Sequence, residues 1–201
     1  MKNEWKIATK IIATFHTQIR WQTFDQTKNW KKKLKAEFIY QPTSGEYEEK
    51  IFDLNTVWKS QIWSWTKFTT KDGIEWIGAF RGEPKKTAIA EKINQVAVLT
   101  SDGLYILDID KKETLFFDQQ TEFRELTESP TKDQFIIADY DQIGIIDKDF
   151  KTEYINLDFG IDNIVFKNYI GTKLRINFEK LPDYEIKDGV LNTENWKIET
   201  E

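Results

Sequence analysis

The chain has a single imidazole, His16, and no cysteine. Disulfides, thiol nucleophiles and His/Cys metal centres therefore fall away together. A serine triad would have to recruit His16, yet no Gly-x-Ser-x-Gly elbow exists to present the nucleophile. Nine glycines are scattered singly, and no G-x-x-x-x-G-K phosphate loop occurs. Carboxylates are plentiful: Asp102, Asp108, Asp110, Asp139, Asp141, Asp147 and Asp149 gather at the ends of apolar runs. Asp139-Tyr140-Asp141 and Asp147-Lys148-Asp149 open like calcium loops, but neither has the glutamate required at the twelfth place. Aspartates so placed ordinarily cap their own turns. The expectation is a non-enzymatic chain with no catalytic residue, cofactor or metal.

Binding chemistry is better represented. The chain has 8 Trp, 7 Tyr and 14 Phe, and residues 57–80 concentrate Trp58, Trp63, Trp65, Phe68, Trp76 and Phe80. Side chains repeat at i and i+2 along a strand, so Trp63 and Trp65 share a face. Aromatics and arginine are the usual anchors of interfaces. Trp58, Trp63, Trp65 and Trp76, with Arg81 at the Arg81-Gly82-Glu83-Pro84 corner, are the candidate partner-binding residues. The same row could instead pack a β core, or stack on sugar rings.

The elements that must hold these residues are strands. Val96–Asp108 (VAVLTSDGLYILD) returns 39 residues later as Phe135–Asp147 (FIIADYDQIGIID). Each copy reads as apolar strand, polar turn, apolar strand, acidic stop. Thr87–Ala90 and Thr114–Phe117 complete the first unit, and Phe123–Leu126 and Thr152–Leu157 the second. A weaker third copy runs through Ile164–Phe166, Leu174–Ile176, Tyr184–Ile186 and Trp196–Ile198. A period of about 40 residues filled with four short strands is the layout of a propeller blade.

Before residue 85 the repeat is lost. Residues 5–21 alternate apolar and polar as a strand does, Leu34–Tyr40 and Tyr47–Leu54 read as half-buried strands, and Pro42-Thr43-Ser44-Gly45 as a turn. Lys71-Asp72-Gly73 is a hairpin turn inside the Trp-rich block. Lys31-Lys32-Lys33 reads as a solvated face.

Residues 85–200 resemble WD40- and kelch-like β-propeller blades in layout, without the Trp-Asp and Gly-His signature of the one or the paired glycine of the other. The resemblance implies a disc of blades that binds at a loop face. The fold expected is thus all-β: a propeller-like array of four-stranded antiparallel blades, with five blades or an irregular N-terminal part. A β-sandwich or barrel is the alternative. Residues 1–201 are read as one domain, with 1–84 an irregular Trp-rich part and 85–200 three blades.

Net charge is −5 and pI about 5.2. Nucleic-acid binders carry the opposite sign to displace counterions, so the partner expected is another protein, a basic toxin for example. The start lacks an apolar h-region and no window approaches the length of a membrane span, which reads as a cytoplasmic protein, and the Lys-, Asn- and Ile-rich vocabulary reads as bacterial. An immunity or antitoxin-type protein is the function expected. A carbohydrate-binding module using the Trp block is the alternative, and a carboxylate hydrolase the last choice.

Overall fold

The structure is a computed structural model that describes residues 33–200. His16, the alternating residues 5–21, and Lys31 and Lys32 lie outside the described residues; Lys33 is exposed. The described residues contain no helix, so none is long and apolar enough to cross a membrane.

Among the described residues sixteen strands form four four-stranded sheets. The first sheet holds β1 (Lys35–Ile39), β2 (Glu48–Phe52), β3 (Trp63–Thr69) and β4 (Glu75–Arg81), in the order β1-β3-β4-β2. The second holds β5 (Pro84–Ala90), β6 (Gln95–Thr100), β7 (Gly103–Asp108) and β8 (Glu113–Asp118). The third holds β9 (Glu125–Glu128), β10 (Phe135–Ala138), β11 (Ile143–Ile146) and β12 (Thr152–Tyr154). The fourth holds β13 (Ile161–Ile170), β14 (Lys173–Lys180), β15 (Glu185–Asn192) and β16 (Lys197–Thr200). The last three are antiparallel meanders in chain order, one per repeat unit, and each expected strand overlaps one of theirs, although Phe123–Leu126, Tyr184–Ile186 and Trp196–Ile198 begin before the observed strand and Thr152–Leu157 runs past β12.

The first sheet departs from the expected antiparallel pattern. β1 and β2 do not pair; β2 lies on the far edge, parallel to β4, with Glu48 beside Trp76 and Phe52 beside Phe80. The reason lies in the connections. The 53–62 loop carries the chain from the end of β2 to the start of β3 at the same end of the sheet, and the tight turn at Lys71-Asp72-Gly73 returns it as β4. Gly73 takes φ 80° there, a conformation that costs glycine little. β4 therefore runs the same way as β2.

Burial explains why the middle units read as unbroken apolar runs. In the second sheet Val96, Val98, Tyr105 and Leu107 pack with the first sheet, while Ala97, Leu99, Leu104 and Ile106 pack with the third. In the third, Phe135, Ile137 and Ile146 join the second sheet's core, and Ile136, Ala138 and Ile143 join the fourth's. A strand covered on both sides must be apolar at every position. The fourth sheet buries one face and alternates: Leu174, Ile176 and Phe178 of β14 are buried, whereas Arg175, Asn177 and Glu179 between them are half-exposed. In the first sheet β3 alternates from Trp63 to Phe68, but β4 is buried throughout Trp76 to Phe80. The sheets are thus stacked face to face in chain order, with a separate core between each successive pair.

The first strands of successive sheets lie side by side, β1 by β5, β5 by β9 and β9 by β13. Thr87 Oγ1 on β5 donates to the Ala36 carbonyl on β1 at 2.9 Å. Tyr169 Oη on β13 donates to the Glu128 carbonyl on β9 at 2.8 Å. Strand directions then sort the connections into two groups. Residues 53–62, 82–83, 101–102, 119–124, 139–142, 155–160 and 181–184 lie at one end of the strands, the Asp102 end. The remaining turns lie at the opposite end.

Candidate functional site

Trp63 and Trp65 share the face of β3 turned away from the second sheet, as their spacing requires, and both are half-buried. With Ile39, Tyr40 and Pro84 they line an open groove of about 440 Å³ at the Asp102 end. Tyr40, just past β1, is 97% exposed. Trp58 rides the 53–62 loop and is 62% exposed, beside a fully exposed Val57. A second groove of about 430 Å³ runs along β1 and β5, but lysines and glutamates of both signs line it and it has no aromatic anchor.

Trp76 is not part of this surface. It pairs with Phe68 across β3 and β4 and points between the first two sheets, fully buried, its ring stacked 4.2 Å from Phe68. Its parity places it with Phe80 and opposite Arg81, so it packs core and is out of reach of a partner. Of the four tryptophans expected to form one site, three lie toward solvent and one holds the scaffold.

Arg81 is committed within the chain. Its guanidinium lies 3.9 Å above the Trp63 ring. Nε and Nη2 donate to the two Asp53 carboxylate oxygens at 3.3 and 3.1 Å, and Nη1 donates to the Ser60 carbonyl at 3.2 Å. A planar fork with both ends occupied has a fixed geometry. Arg81 thereby clamps the two ends of the 53–62 loop and covers one face of Trp63. Lys59 adds a further bond to Asp53 at 2.9 Å.

These hydrogen bonds, first from Arg81 and then from Lys59, hold the Asp53 carboxyl below its ordinary 3.8, at about 2. A depressed carboxyl pKa means stabilisation fully present above the unfolded value and lost as pH falls through the folded one. The clamp is therefore expected to persist through mild acid and to open only as pH approaches about 2. A carboxyl ¹³C titration of Asp53 checks this: the midpoint rises toward 3.8 in Arg81→Gln, and an unmoved midpoint would refute the clamp.

The loop is tied down at two more points. Ser60 N donates to Asp102 Oδ2 at 2.7 Å, and Ser101 Oγ donates to Oδ1 at 3.0 Å. The Gln119 amide, with its oxygen toward the loop, accepts from Val57 N and Trp58 N at 3.2 Å each. Gly82, with φ +98°, lies so close below Asp102 that a Cβ would meet the Asp102 nitrogen at 2.7 Å. Asp102 is thus a buried fastening for the Trp58 loop, a role its turn sequence did not disclose.

Three of the other six aspartates cap turns as their positions suggested, while Asp110 Oδ2 accepts from Asn94 Nδ2 at 2.9 Å. Asp108 Oδ1 accepts from Asp110 N and Lys111 N, Asp139 Oδ1 from Asp141 N and Gln142 N, and Asp147 Oδ1 from Asp149 N and Lys151 N, all between 2.8 and 3.1 Å. Among the described residues no three of His, Asp and Glu gather as metal ligands.

Sequence reasoning passed over Tyr40, Tyr140 and Tyr184, which are exposed at the same end. Tyr140 had a signal: it occupies the tip of the Asp139–Asp141 turn, where an aromatic has no core to enter. Arg124 stacks on it at 3.4 Å. No protein-family model and no curated protein matches the chain.

Proposed function

We propose that the chain is a non-enzymatic binding protein, a propeller-like array of blades that holds another protein at its Asp102 end. The supporting observation is the aromatic surface built from Tyr40, Trp58, Trp63 and Trp65, fixed in place by Arg81, Asp53 and Asp102. Large exposed aromatics are costly to leave in water and are the commonest hot spots of interfaces. Pinning their loop in advance lowers the ordering cost of association. The biological form of this reading is a cytoplasmic bacterial protein of immunity or antitoxin type, whose partner is a toxin. The carbohydrate alternative draws on the same rings, since Trp63 and Trp65 are not buried.

One experiment separates them. The tagged protein is used to capture partners from a lysate of its source cells, beside Trp58→Ala/Trp65→Ala, with soluble oligosaccharides as competitors. A single protein is expected to co-purify, in amounts at least about tenfold lower with the double variant, as befits the loss of two anchors. Capture unchanged by the substitutions, or displacement by an oligosaccharide, overturns the reading.

A further inference from the structure

The two ends of the strands differ in chemistry. Among the described residues, the strongly exposed aromatic side chains are Tyr40 (97%), Tyr184 (63%), Trp58 (62%), Tyr154 (45%) and Tyr140 (43%). All five lie at the Asp102 end. Charge divides the same way. The connections at that end carry eight carboxylates and two cations, Lys59 and Arg124. Those at the opposite end, leaving aside the 40–47 segment that runs between the two, carry seven of each sign.

At the opposite end each carboxylate of the connections has a lysine to balance it in number, and Asp133 pairs with Lys92 at 3.0 Å, as Glu48 at the start of β2 does with Lys112 at 2.5 Å. At the Asp102 end Glu83, Glu122, Asp141, Asp158 and Asp183 are all exposed, and none forms an ion pair among the described residues. They are distributed over the tips of all four sheets, interleaved with the aromatics.

We infer that the Asp102 end is a docking surface for an arginine-rich, basic polypeptide. This rests on the protein-binding reading above and names the chemistry of its partner. Among the described residues, two arginines at this end show how such a surface accepts the group. Arg81 lies over Trp63 with its donors on Asp53, and Arg124 lies over Tyr140. A guanidinium prefers an aromatic face with a carboxylate at its edge, and gains from both more than an ammonium does. Tyr40, Trp58 and Tyr184 offer faces, and Glu83, Asp183 and Asp158 offer edges. The unbalanced negative charge would also steer a basic partner toward this end and repel nucleic acid.

The test is calorimetric titration of the intact protein with short peptides that alternate glycine with arginine, lysine or glutamate. The arginine peptide is expected to bind, the lysine peptide to bind more weakly and the glutamate peptide not at all. Affinity for the arginine peptide is expected to fall with added sodium chloride. Glu122→Gln/Asp141→Asn/Asp183→Asn is expected to weaken it about tenfold or more. Asp72→Asn/Glu91→Gln/Asp149→Asn, at the opposite end, is expected to change it less than about twofold. Matching circular dichroism and thermal melts show that both variants fold. No binding of the arginine peptide, equal loss in the two variants, or indifference to salt overturns the inference. If the peptide fails while Trp58→Ala/Trp65→Ala still abolishes partner capture, only the basic chemistry is lost and protein binding stands.

Discussion

Replacement of Trp76 by alanine is expected to lower folding stability by about 3–5 kcal/mol, the cost of emptying a fully packed aromatic position. Trp76 is completely buried between the first and second sheets, stacked on Phe68 and tilted against Phe52, whose centroid is 6.2 Å away. Phe80 in turn stacks on Phe52 at 4.8 Å and meets Tyr105 of the second sheet edge-on at 5.0 Å. Strand backbones that hold these rings cannot close over the void, so most of the penalty stays. The indole Nε1 has no hydrogen-bond partner among the described residues, so the ring acts here as a hydrocarbon. Trp76→Phe is therefore expected to recover more than half of the loss. Trp58→Ala, by contrast, removes an exposed side chain and is expected to shift stability by no more than about 0.5 kcal/mol. Urea unfolding midpoints at a common slope measure all three. A cost near 1 kcal/mol for Trp76→Ala would mean that the ring is not core.

That contrast shows where the sequence is legible. Parity along one strand correctly put Trp63 and Trp65 on a common face. It could not place Trp76, because the decision depends on which residue of β3 it opposes, and pairing partners are not written in a single strand. Once Trp76 is opposite Phe68, its direction follows. The same limit explains β2. Its five residues, EEKIF, carry enough alternation to predict a strand, but nothing in them distinguishes pairing with β1 from a parallel place beside β4. The second to fourth sheets were readable because every strand is followed by a turn that fixes the next one. Asp108 and Asp147 cap those turns, and consecutive antiparallel strands leave no choice of neighbour.

The site was legible only in part for a related reason. Tryptophan content pointed to the right region, yet the surface is completed by tyrosines at the tips of turns far along the chain. Tyr140 and Tyr184 reach the end that Tyr40 and Trp58 occupy because strand directions bring all their turns there. Arg81 and Asp53 meet across 28 residues, and Ser60 and Asp102 across 42. Such contacts are consequences of the sheet stack and have no signature in local spacing.

The stack itself predicts an unusual mutational pattern in the third sheet. Ile136 and Ile137 are neighbours on β10 and point to opposite faces, yet both are fully buried. Ile136 packs with Ile164, Phe166 and Ile176 of the fourth sheet, and Ile137 with Leu99, Leu104 and Ile106 of the second. Each alanine substitution is expected to cost about 2–5 kcal/mol. Because the two side chains enter different cores, the double variant is expected to lose the sum within about 0.5 kcal/mol. On β14 the corresponding neighbours behave differently. Ile176→Ala carries the same core penalty, while Arg175→Ala, on the half-exposed outer face, is expected to cost about 0.5 kcal/mol or less. Chemical denaturation of the five variants reads the pattern directly. Should Ile136→Ala or Ile137→Ala prove as mild as Arg175→Ala, one face of the third sheet would be open to water and the order of the stack would be wrong. Should both be severe, the continuous apolar run FIIA is explained by cover on two sides, and the half-exposed alternation of β14 marks where that cover ends.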